Sequence, residues 1–331
     1  MSGVASPCWC GLAECCLFFG TPQFALPSLR ALLASPYEVK AVVTRPDKPS
    51  GRGRQVANSP LKQAAIDAGL PVLQPPRLRD AEAVDTLRRL APNFIIVAAY
   101  GLLVPPEILS LPPSGVLNVH PSLLPRHRGA SPIPNAILAG DDVTGVSIML
   151  MDEGLDTGPV LSQREVPIGP NESAHELSAR LAPIAADLLL ETIPDWLRGR
   201  IEPQPQRAEL ATYSPQLKRE DGRIDWTADA RATWRQVRAM NPWPGSETTL
   251  RGARLHIWRA WPLTPQGAEA PGTITETRSL ETSDGQEDAL IVSCGSGALA
   301  LLELQKEGRR ALPAADFARG ERDLIGVQLG A

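Results

Sequence analysis

The run Phe94-Ile95-Ile96-Val97-Ala98-Ala99 decides the fold. It is apolar throughout, of strand length, and shows no alternation between polar and apolar positions. A strand needs that pattern when both of its faces are buried, which is the situation in a parallel sheet covered by helices on each side. Upstream, residues 16–20 and 39–44 read as further strands. Between them Phe24, Leu26, Leu29 and Leu32 fall at helical spacing. Residues 60–68 and 81–90 read as helices and 72–74 as extended chain. Downstream, 116–120 is a short strand, and 145–151 is a β-rich run with which 160–167 can pair. A long helix over 173–190 follows, opened by Ser173 with Glu176 three residues on, the pattern of a capping box. Alternating strands and helices of this kind predict an α/β, doubly wound Rossmann-like domain.

Composition shifts after that. Residues 193–215 are rich in proline and read as a linker. Beyond them, strand-like runs at 255–260, 272–276, 289–293 and 298–304 are separated by turns containing glycine, a spacing that predicts a small C-terminal β-barrel (OB-like) or sandwich. The expected organisation is therefore an irregular extension over 1–15, a catalytic domain over 16–192, a linker over 193–215 and a β domain over 216–331. No internal repeat is present.

The 331 residues carry a formal net charge of −4, with 43% hydrophobic and 21% charged residues. That balance is ordinary for a soluble globular chain and excludes a mainly disordered or collagen-like one. An acidic average argues against coating nucleic acid or an anionic membrane through bulk charge, although a local basic patch stays open. No stretch reaches the roughly 18 uninterrupted apolar residues needed to span a bilayer. The first twenty residues lack Lys and Arg, and Glu14 interrupts their apolar run, so they make a poor secretory or transit signal. The cytoplasm is the expected compartment. Cys8, Cys10, Cys15 and Cys16 lie close together while Cys294 stands alone. The spacing is not that of a metal site, and an odd count without a signal argues against a disulfide framework. No metal is expected.

Neither G-x-G-x-x-G after the first strand nor G-x-x-x-x-G-K-[ST] occurs, so dinucleotide and P-loop binding lack support. The densest concentration of chemistry is N-V-H-P-S-L-L-P-R-H-R-G, residues 118–129. On a strand, Asn118 and His120 leave the same face. They lie at the carboxyl end of a strand, where open α/β sheets bind ligands. The prolines at 121 and 125 stop the strand and force a shaped loop. A carboxylate from M-D-E-G-L-D-T-G (Asp152, Glu153 or Asp156) can complete the set. An amide donor, an imidazole and a carboxylate that orients it suit acyl or formyl transfer. With no elbow such as G-x-S-x-G to present a nucleophile, direct transfer between bound substrates is the simpler chemistry. Each residue also has a plainer use: a strand-end His is often structural, an Asn closes turns, an Asp caps them, and paired Arg side chains are commonly solvated.

Together these residues resemble the 10-formyltetrahydrofolate-dependent formyltransferases. The stretches that carry the resemblance are FFGTPQFALPSL (18–29), TRPDKPSGRGR (44–54), VAAYGLLVP (97–105), LNVHPSLLPRHRGASPI (117–133), GVSIMLMDEGLDTGPVL (145–161), RIDW (223–226) and NPWPG (241–245). The resemblance implies 10-formyltetrahydrofolate as formyl donor, with no metal. It implies catalytic roles for Asn118 as oxyanion donor, His120 in proton movement and Asp156 as the residue that orients and stabilises His120. Ser122, Leu123, Leu124 and Pro125 match the family's folate-binding loop, and 98–104 is similar to the segment lining its pterin pocket. The basic loop 45–54 looks like the family's insertion toward a tRNA acceptor end, with Arg52 foremost and Arg45, Lys48 and Arg54 beside it. The implied acceptor is then an initiator methionyl-tRNA and the implied assembly a monomer. His127 departs from the aromatic residue that relatives commonly carry.

Other members of the family formylate a ribonucleotide or a sugar, or transfer the group to water. The first kind ordinarily ends with the α/β domain, the others are normally fused to a second catalytic domain, and the basic loop favours tRNA. A different class, a non-catalytic RNA-binding protein using the β domain, meets the charge count: from Arg207 to the end there are 16 Lys+Arg against 17 Asp+Glu. That domain is not basic overall.

Overall fold

Cys16, Leu17, Phe18 and Phe19 are wholly excluded from solvent, although successive side chains of a strand leave on opposite faces. Such a strand needs cover on both sides. The structure, a computed structural model, describes residues 14–47, 49–50, 55–56, 58–264, 269–282 and 285–330. The chain divides into two compact units, one of residues 1–128, 145–166 and 179–212, the other of 129–144, 167–178 and 213–331.

The first unit is built on a sheet of seven strands among the described residues: β1 (Cys15–Gly20), β2 (Glu38–Val43), β3 (Val72–Leu73), β4 (Phe94–Ala98), β5 (Val116–His120), β6 (Val143–Leu150) and β7 (Val160–Pro167). Their order is β7-β6-β5-β4-β1-β2-β3. The pairs β2–β3, β1–β2, β1–β4 and β4–β5 are parallel, and β6 runs antiparallel to β5. The helices α1 (Leu26–Leu33), α2 (Pro60–Asp67), α3 (Ala81–Arg89) and α4 (Pro106–Leu109) fall between the parallel strands. On one face Leu17, Phe19, Ile95 and Val97 pack with Val84 and Leu87 of α3 and Ile108 of α4. Phe18, Val42 and Ile96 are buried on the other face. Gly20 lets the chain close there: a Cβ on it would lie 2.8 Å from the Ala98 carbonyl oxygen and 3.0 Å from Leu61 Cδ2 of α2. The order reverses between β1 and β4, the switch point beside which such sheets hold ligands.

A further helix, α5 (Pro132–Ala139), belongs to the second unit, and α6 (Ala174–Leu197) begins with the expected capping box. The Ser173 N–H donates to Glu176 Oε2 at 2.8 Å, and the Glu176 N–H donates to Ser173 Oγ at 3.3 Å. Those bonds from the Ser173 N–H and hydroxyl hold the Glu176 carboxyl below its ordinary range. The sequence places the end of this helix at 190, but it runs to Leu197, through Pro183 and Pro194. Leu189 and Ile193 are fully buried on it, and that packing outweighs the hydrogen bonds that the prolines remove.

The second unit carries the small β domain. It is a six-stranded sheet of β8 (Ser246–Leu250), β9 (Ala253–Leu263), β10 (Ile274–Thr282), β11 (Gly285–Ser293), β12 (Ala298–Lys306) and β13 (Leu312–Pro313), with α7 (Ala230–Ala239) and α8 (Ala314–Gly320). The order is β8-β9-β12-β11-β10, with β13 also on β12, and the pairings are antiparallel. Sides alternate along β12 from Ala298 to Leu302, and the register shift around Arg259 of β9 then brings Leu304 onto the same side as Leu301. Leu299, Leu301 and Leu304 join Trp226, Ile257 and Phe317 in one cluster, while Ala298, Ala300 and Leu302 face a second with Ile291.

Gly145 of β6 has no room for a side chain, because a Cβ would stand 2.1 Å from the Arg164 carbonyl oxygen of β7 and 2.5 Å from Leu123 Cδ2. Gly145→Ala should therefore destabilise the protein by about 2 kcal/mol and lower its Tm by roughly 4–8 °C. An unchanged thermal melt would mean that β6 and β7 spread freely.

Candidate active site

β5 ends in Asn118-Val119-His120, and the pleat sends the first and last of these to one side. Both are buried, at 8% and 4% exposure. Across the antiparallel seam Asn118 faces Met149 and His120 faces Ser147 of β6. The carboxylate that meets them is Asp156. Asn118 Nδ2 donates to Asp156 Oδ1 at 3.2 Å, and His120 Nδ1 stands 3.6 Å from Asp156 Oδ2. Of the three acids that the sequence offered, Asp156 is the one these contacts bring to the pair. Asp152 instead shapes the turn that carries Asp156. Its Oδ1 accepts the Gly154 N–H at 3.0 Å and the Thr157 hydroxyl at 2.7 Å. Asp156 itself sits at φ 53°, a left-handed conformation that a non-glycine residue keeps only when its surroundings impose it.

His120 is fixed at its second nitrogen. Its Nε2 lies 2.9 Å from the His127 carbonyl oxygen, an acceptor only, so Nε2 carries a proton and donates it. Nδ1 is then the nitrogen turned to Asp156. His127, where an aromatic was the commoner residue, contributes through its backbone: it is buried and left-handed, at φ 57°.

The loop from Ser122 to Pro125 is held from below. The Ser122 hydroxyl donates to the Arg126 carbonyl at 2.7 Å. Ser147 Oγ donates to the Ser122 carbonyl at 2.6 Å and accepts the Leu124 N–H at 3.1 Å. Gln163 Nε2 donates to the Leu124 carbonyl at 2.9 Å and to Ser147 Oγ at 2.8 Å. The Leu124–Pro125 peptide is cis. Ser122 is completely buried, so its side chain braces the loop.

At the end of β4 the chain turns through Ala99 at φ 48° and Gly101 at φ 77°. Tyr100 drops into the core edge-on to Phe19, with centroids 5.4 Å apart. Burial pushes its phenol up to about 12, against the pull of nearby Arg45, and its hydroxyl has no hydrogen-bond partner among the described residues. Leu102, Leu103 and Leu155 are by contrast exposed, at 37%, 68% and 49%. Apolar surface bordered by the backbone groups of irregular loops is what a flat heterocycle with amide-like edges needs.

Of the four basic residues expected to meet RNA, Lys48, Arg52 and Arg54 lie outside the described residues. Arg45 is half-buried, and its Nη1 is 3.6 Å from where a Cβ on Gly101 would be. Its carbonyl accepts from Gln74 Nε2 at 2.8 Å. Asp47, the acid of the loop, pairs with Lys62 and accepts from Gln74 at 3.1 Å; the hydrogen bond from Lys62, ahead of that from Gln74, holds its carboxyl below the usual range. Cys15 and Cys16 are buried thiols of β1 and Cys294 is a buried thiol of the second unit; Cys8 and Cys10 lie outside the described residues. Among the described residues no cluster of three or more His, Cys, Asp or Glu is arranged to hold a metal ion.

Sequence reasoning missed the contribution of residues 204–212, which it assigned to a linker. Gln206 Nε2 donates to the carbonyls of Asp156 at 2.9 Å and Gly158 at 2.6 Å, and its Oε1 accepts from Arg128 Nε and Nη2 at 3.0 and 2.8 Å. Thr212 Oγ1 accepts the His127 N–H at 2.8 Å. A glutamine in a proline-rich stretch carries no local signal of such a role.

The family described as Formyl transferase matches residues 15–193, and its C-terminal domain matches residues 216–322. The methionyl-tRNA formyltransferase of Solibacter usitatus is 47% identical over 95% of this chain and 98% of its own length. That of Methylococcus capsulatus is 44% identical over 95% and 99%. The solved methionyl-tRNA formyltransferase of Clostridium thermocellum, 19% identical, superposes with a TM-score of 0.52 over 76% of this chain and 93% of its own, a likeness of fold. Matched along both domains and over nearly its whole length, the chain belongs to the formyl transferase family.

Proposed function

We propose that this protein transfers the formyl group of 10-formyltetrahydrofolate to the amino group of methionyl-tRNA, the initiator species, to give N-formylmethionyl-tRNA, and that Asn118, His120 and Asp156 carry the transfer. The observation that supports this most directly is the buried contact of Asp156 with both Asn118 and His120 at the end of β5, in a chain 47% identical to a methionyl-tRNA formyltransferase across 95% of its length.

When bound, the folate supplies a formyl carbon open to attack by an amine. Asn118 spends one Nδ2–H on Asp156, and its second N–H can meet the negative charge that gathers on the formyl oxygen, a contact stronger in the transition state than before it. Because Nε2 of His120 already donates to the His127 carbonyl, Nδ1 is the nitrogen that takes the proton from the attacking amine and can return it to the folate N10 as its bond to the formyl carbon breaks. Asp156 Oδ2, at 3.6 Å, is longer than a hydrogen bond from that nitrogen but close enough to stabilise the imidazolium in a buried setting. Asp156 also ties the imidazole and the amide to one carboxylate, so that acid–base group and oxyanion donor keep a constant separation.

The residues that would hold the folate are Ser122, Leu123, Leu124 and Pro125 together with the 98–104 segment. They fit it: a braced loop, exposed Leu102 and Leu103, and irregular backbone next to the catalytic strand. Arg52, with Arg45, Lys48 and Arg54, would meet the acceptor end of the tRNA, and the 216–331 domain would dock the rest. Among the described residues no helix is long and apolar enough to cross a membrane, and a monomer working in the cytoplasm suits a tRNA substrate.

Supplied with 10-formyltetrahydrofolate and methionyl-tRNA, the purified protein should form N-formylmethionyl-tRNA; no such product, with formate or a formylated sugar made instead, overturns the assignment. Asn118→Ala, His120→Ala and Asp156→Ala should each lower kcat by about 10²-fold or more while the fold persists by circular dichroism. Near-normal turnover in all three would remove the site from the mechanism. Arg52→Ala should weaken tRNA use chiefly through binding and flatten its salt dependence by about one phosphate contact. An unaltered salt slope would show that the contact lies elsewhere.

A further inference from the structure

We infer that the stretch 204–212 is part of the catalytic apparatus and that Gln206 is the positioning residue for Asp156. The inference rests on the proposed formyl transfer and concerns what holds its carboxylate in place.

The Gln206 amide uses all of its hydrogen-bonding capacity. Its two donors go to the carbonyls of Asp156 and Gly158, and its oxygen accepts twice from Arg128. The reverse orientation of the amide would set its oxygen against two carbonyls and its NH2 against a guanidinium, so the chemistry of the neighbours dictates the orientation. What the two donors grip is the awkward part of the site. Asp156 is left-handed at φ 53°, a conformation that Asp tolerates better than most residues but that still calls on hydrogen bonds to constrain it. Asp152 supplies that constraint ahead of Asp156, through Gly154 and Thr157. Gln206 supplies it behind. Gly158 lies close against β6: a Cβ there would stand 1.9 Å from the Leu150 carbonyl oxygen.

The other side of the same amide reaches the histidine. Arg128 is a cation only 4% exposed, and Gln206 gives it two accepting contacts. Its N–H donates to the Thr212 carbonyl at 2.9 Å, and Thr212 Oγ1 takes the N–H of His127, whose carbonyl receives His120 Nε2. One stretch, which includes a 3-10 turn at Ala208–Leu210, thus braces Asp156 by its backbone and His120 by its acceptor. Its register is set by the pair of backbone hydrogen bonds between Gln204 and Val160, at 2.9 and 2.8 Å, at the start of β7. A shift of about 1 Å in a reacting group can cost 10²-fold in rate, so a brace of this kind belongs to catalysis although it touches no substrate.

Gln206→Glu separates this role from mere folding. The carboxylate still accepts from Arg128, now with charge assistance, so the variant should melt within a few degrees of the wild type. It has lost both donors and faces two carbonyl oxygens. We expect kcat to fall about tenfold or more with the KM of donor and acceptor altered less than about twofold, and no further loss when the change is made in an Asp156→Asn background. A crystal structure of Gln206→Glu should show Asp156 departing from its left-handed conformation, a readout independent of the acceptor used. Wild-type kcat in Gln206→Glu, a full tenfold loss repeated in the Asp156→Asn background, or Asp156 unmoved in the variant would each overturn the role. A wild-type protein inactive toward methionyl-tRNA would sink the functional reading, while the position of Asp156 would still decide this one.

Discussion

Burial of β1 and β4 on both faces is the constraint from which the rest of the first unit follows. Neither strand can tolerate a polar side chain along its length, so both faces need helices, and the parallel order with its reversal between β1 and β4 satisfies that need. Polar chemistry is then excluded from the sheet except where strands end. β5 shows the transition within five residues: Val116 and Leu117 are core, whereas Asn118 and His120, also buried, are polar and need partners. A buried imidazole or amide without partners costs roughly as much as a core cavity. The loops that follow the strands are therefore obliged to bring acceptors, and Asp156 and the His127 carbonyl are those acceptors.

Meeting that obligation strains the backbone. Ala99, His127 and Asp156 are all left-handed, and they belong to the three loops that surround the strand ends. None is glycine, so each conformation is maintained at some cost by its neighbours. For His127 and Asp156 the neighbours can be named: the Thr212 hydroxyl on one, the Gln206 amide and the Asp152 turn on the other. The stability given up there is recovered in packing elsewhere, above all in the apolar strands and in α6, whose buried Leu189 and Ile193 carry it past a proline.

Much of this is legible in the sequence, for reasons that differ from residue to residue. The FIIVAA run, the 116–120 strand and the Ser173–Glu176 box are local signals, so they locate β4, β5 and the start of α6 directly. The shared face of Asn118 and His120 follows from the pleat alone. The identity of the carboxylate does not, because Asp152, Glu153 and Asp156 are equivalent by spacing and separate only through a turn that one of them builds for another. In the second unit the strand centres stand out, yet β8, α7 and α8 do not. SETTL offers a single apolar residue in five, and both helices draw their place from contacts with the sheet. The end of α6 escapes a local reading because proline ordinarily stops a helix, and here tertiary burial overrides it. Gln206 is invisible for the same kind of reason: its importance lies in four contacts with groups distant in sequence.

Charge shows how far an average can mislead in both directions. The chain is acidic overall, while 45–54 counts four basic residues and one acid, a local surplus of three. The fold revises the count. Asp47 is neutralised by Lys62, a residue outside the loop, so the acid no longer offsets its basic neighbours. Arg45 is anchored at the start of the loop, its guanidinium lying beside Gly101 at the end of β4 and within electrostatic reach of Tyr100. Lys48, Arg52 and Arg54 lie outside the described residues, while Arg45 sits beside Gly101, in the segment proposed for the pterin. On the proposed reading, its side chain joins the loop for the tRNA to the segment for the pterin, which neither the mean charge nor the local sum could express.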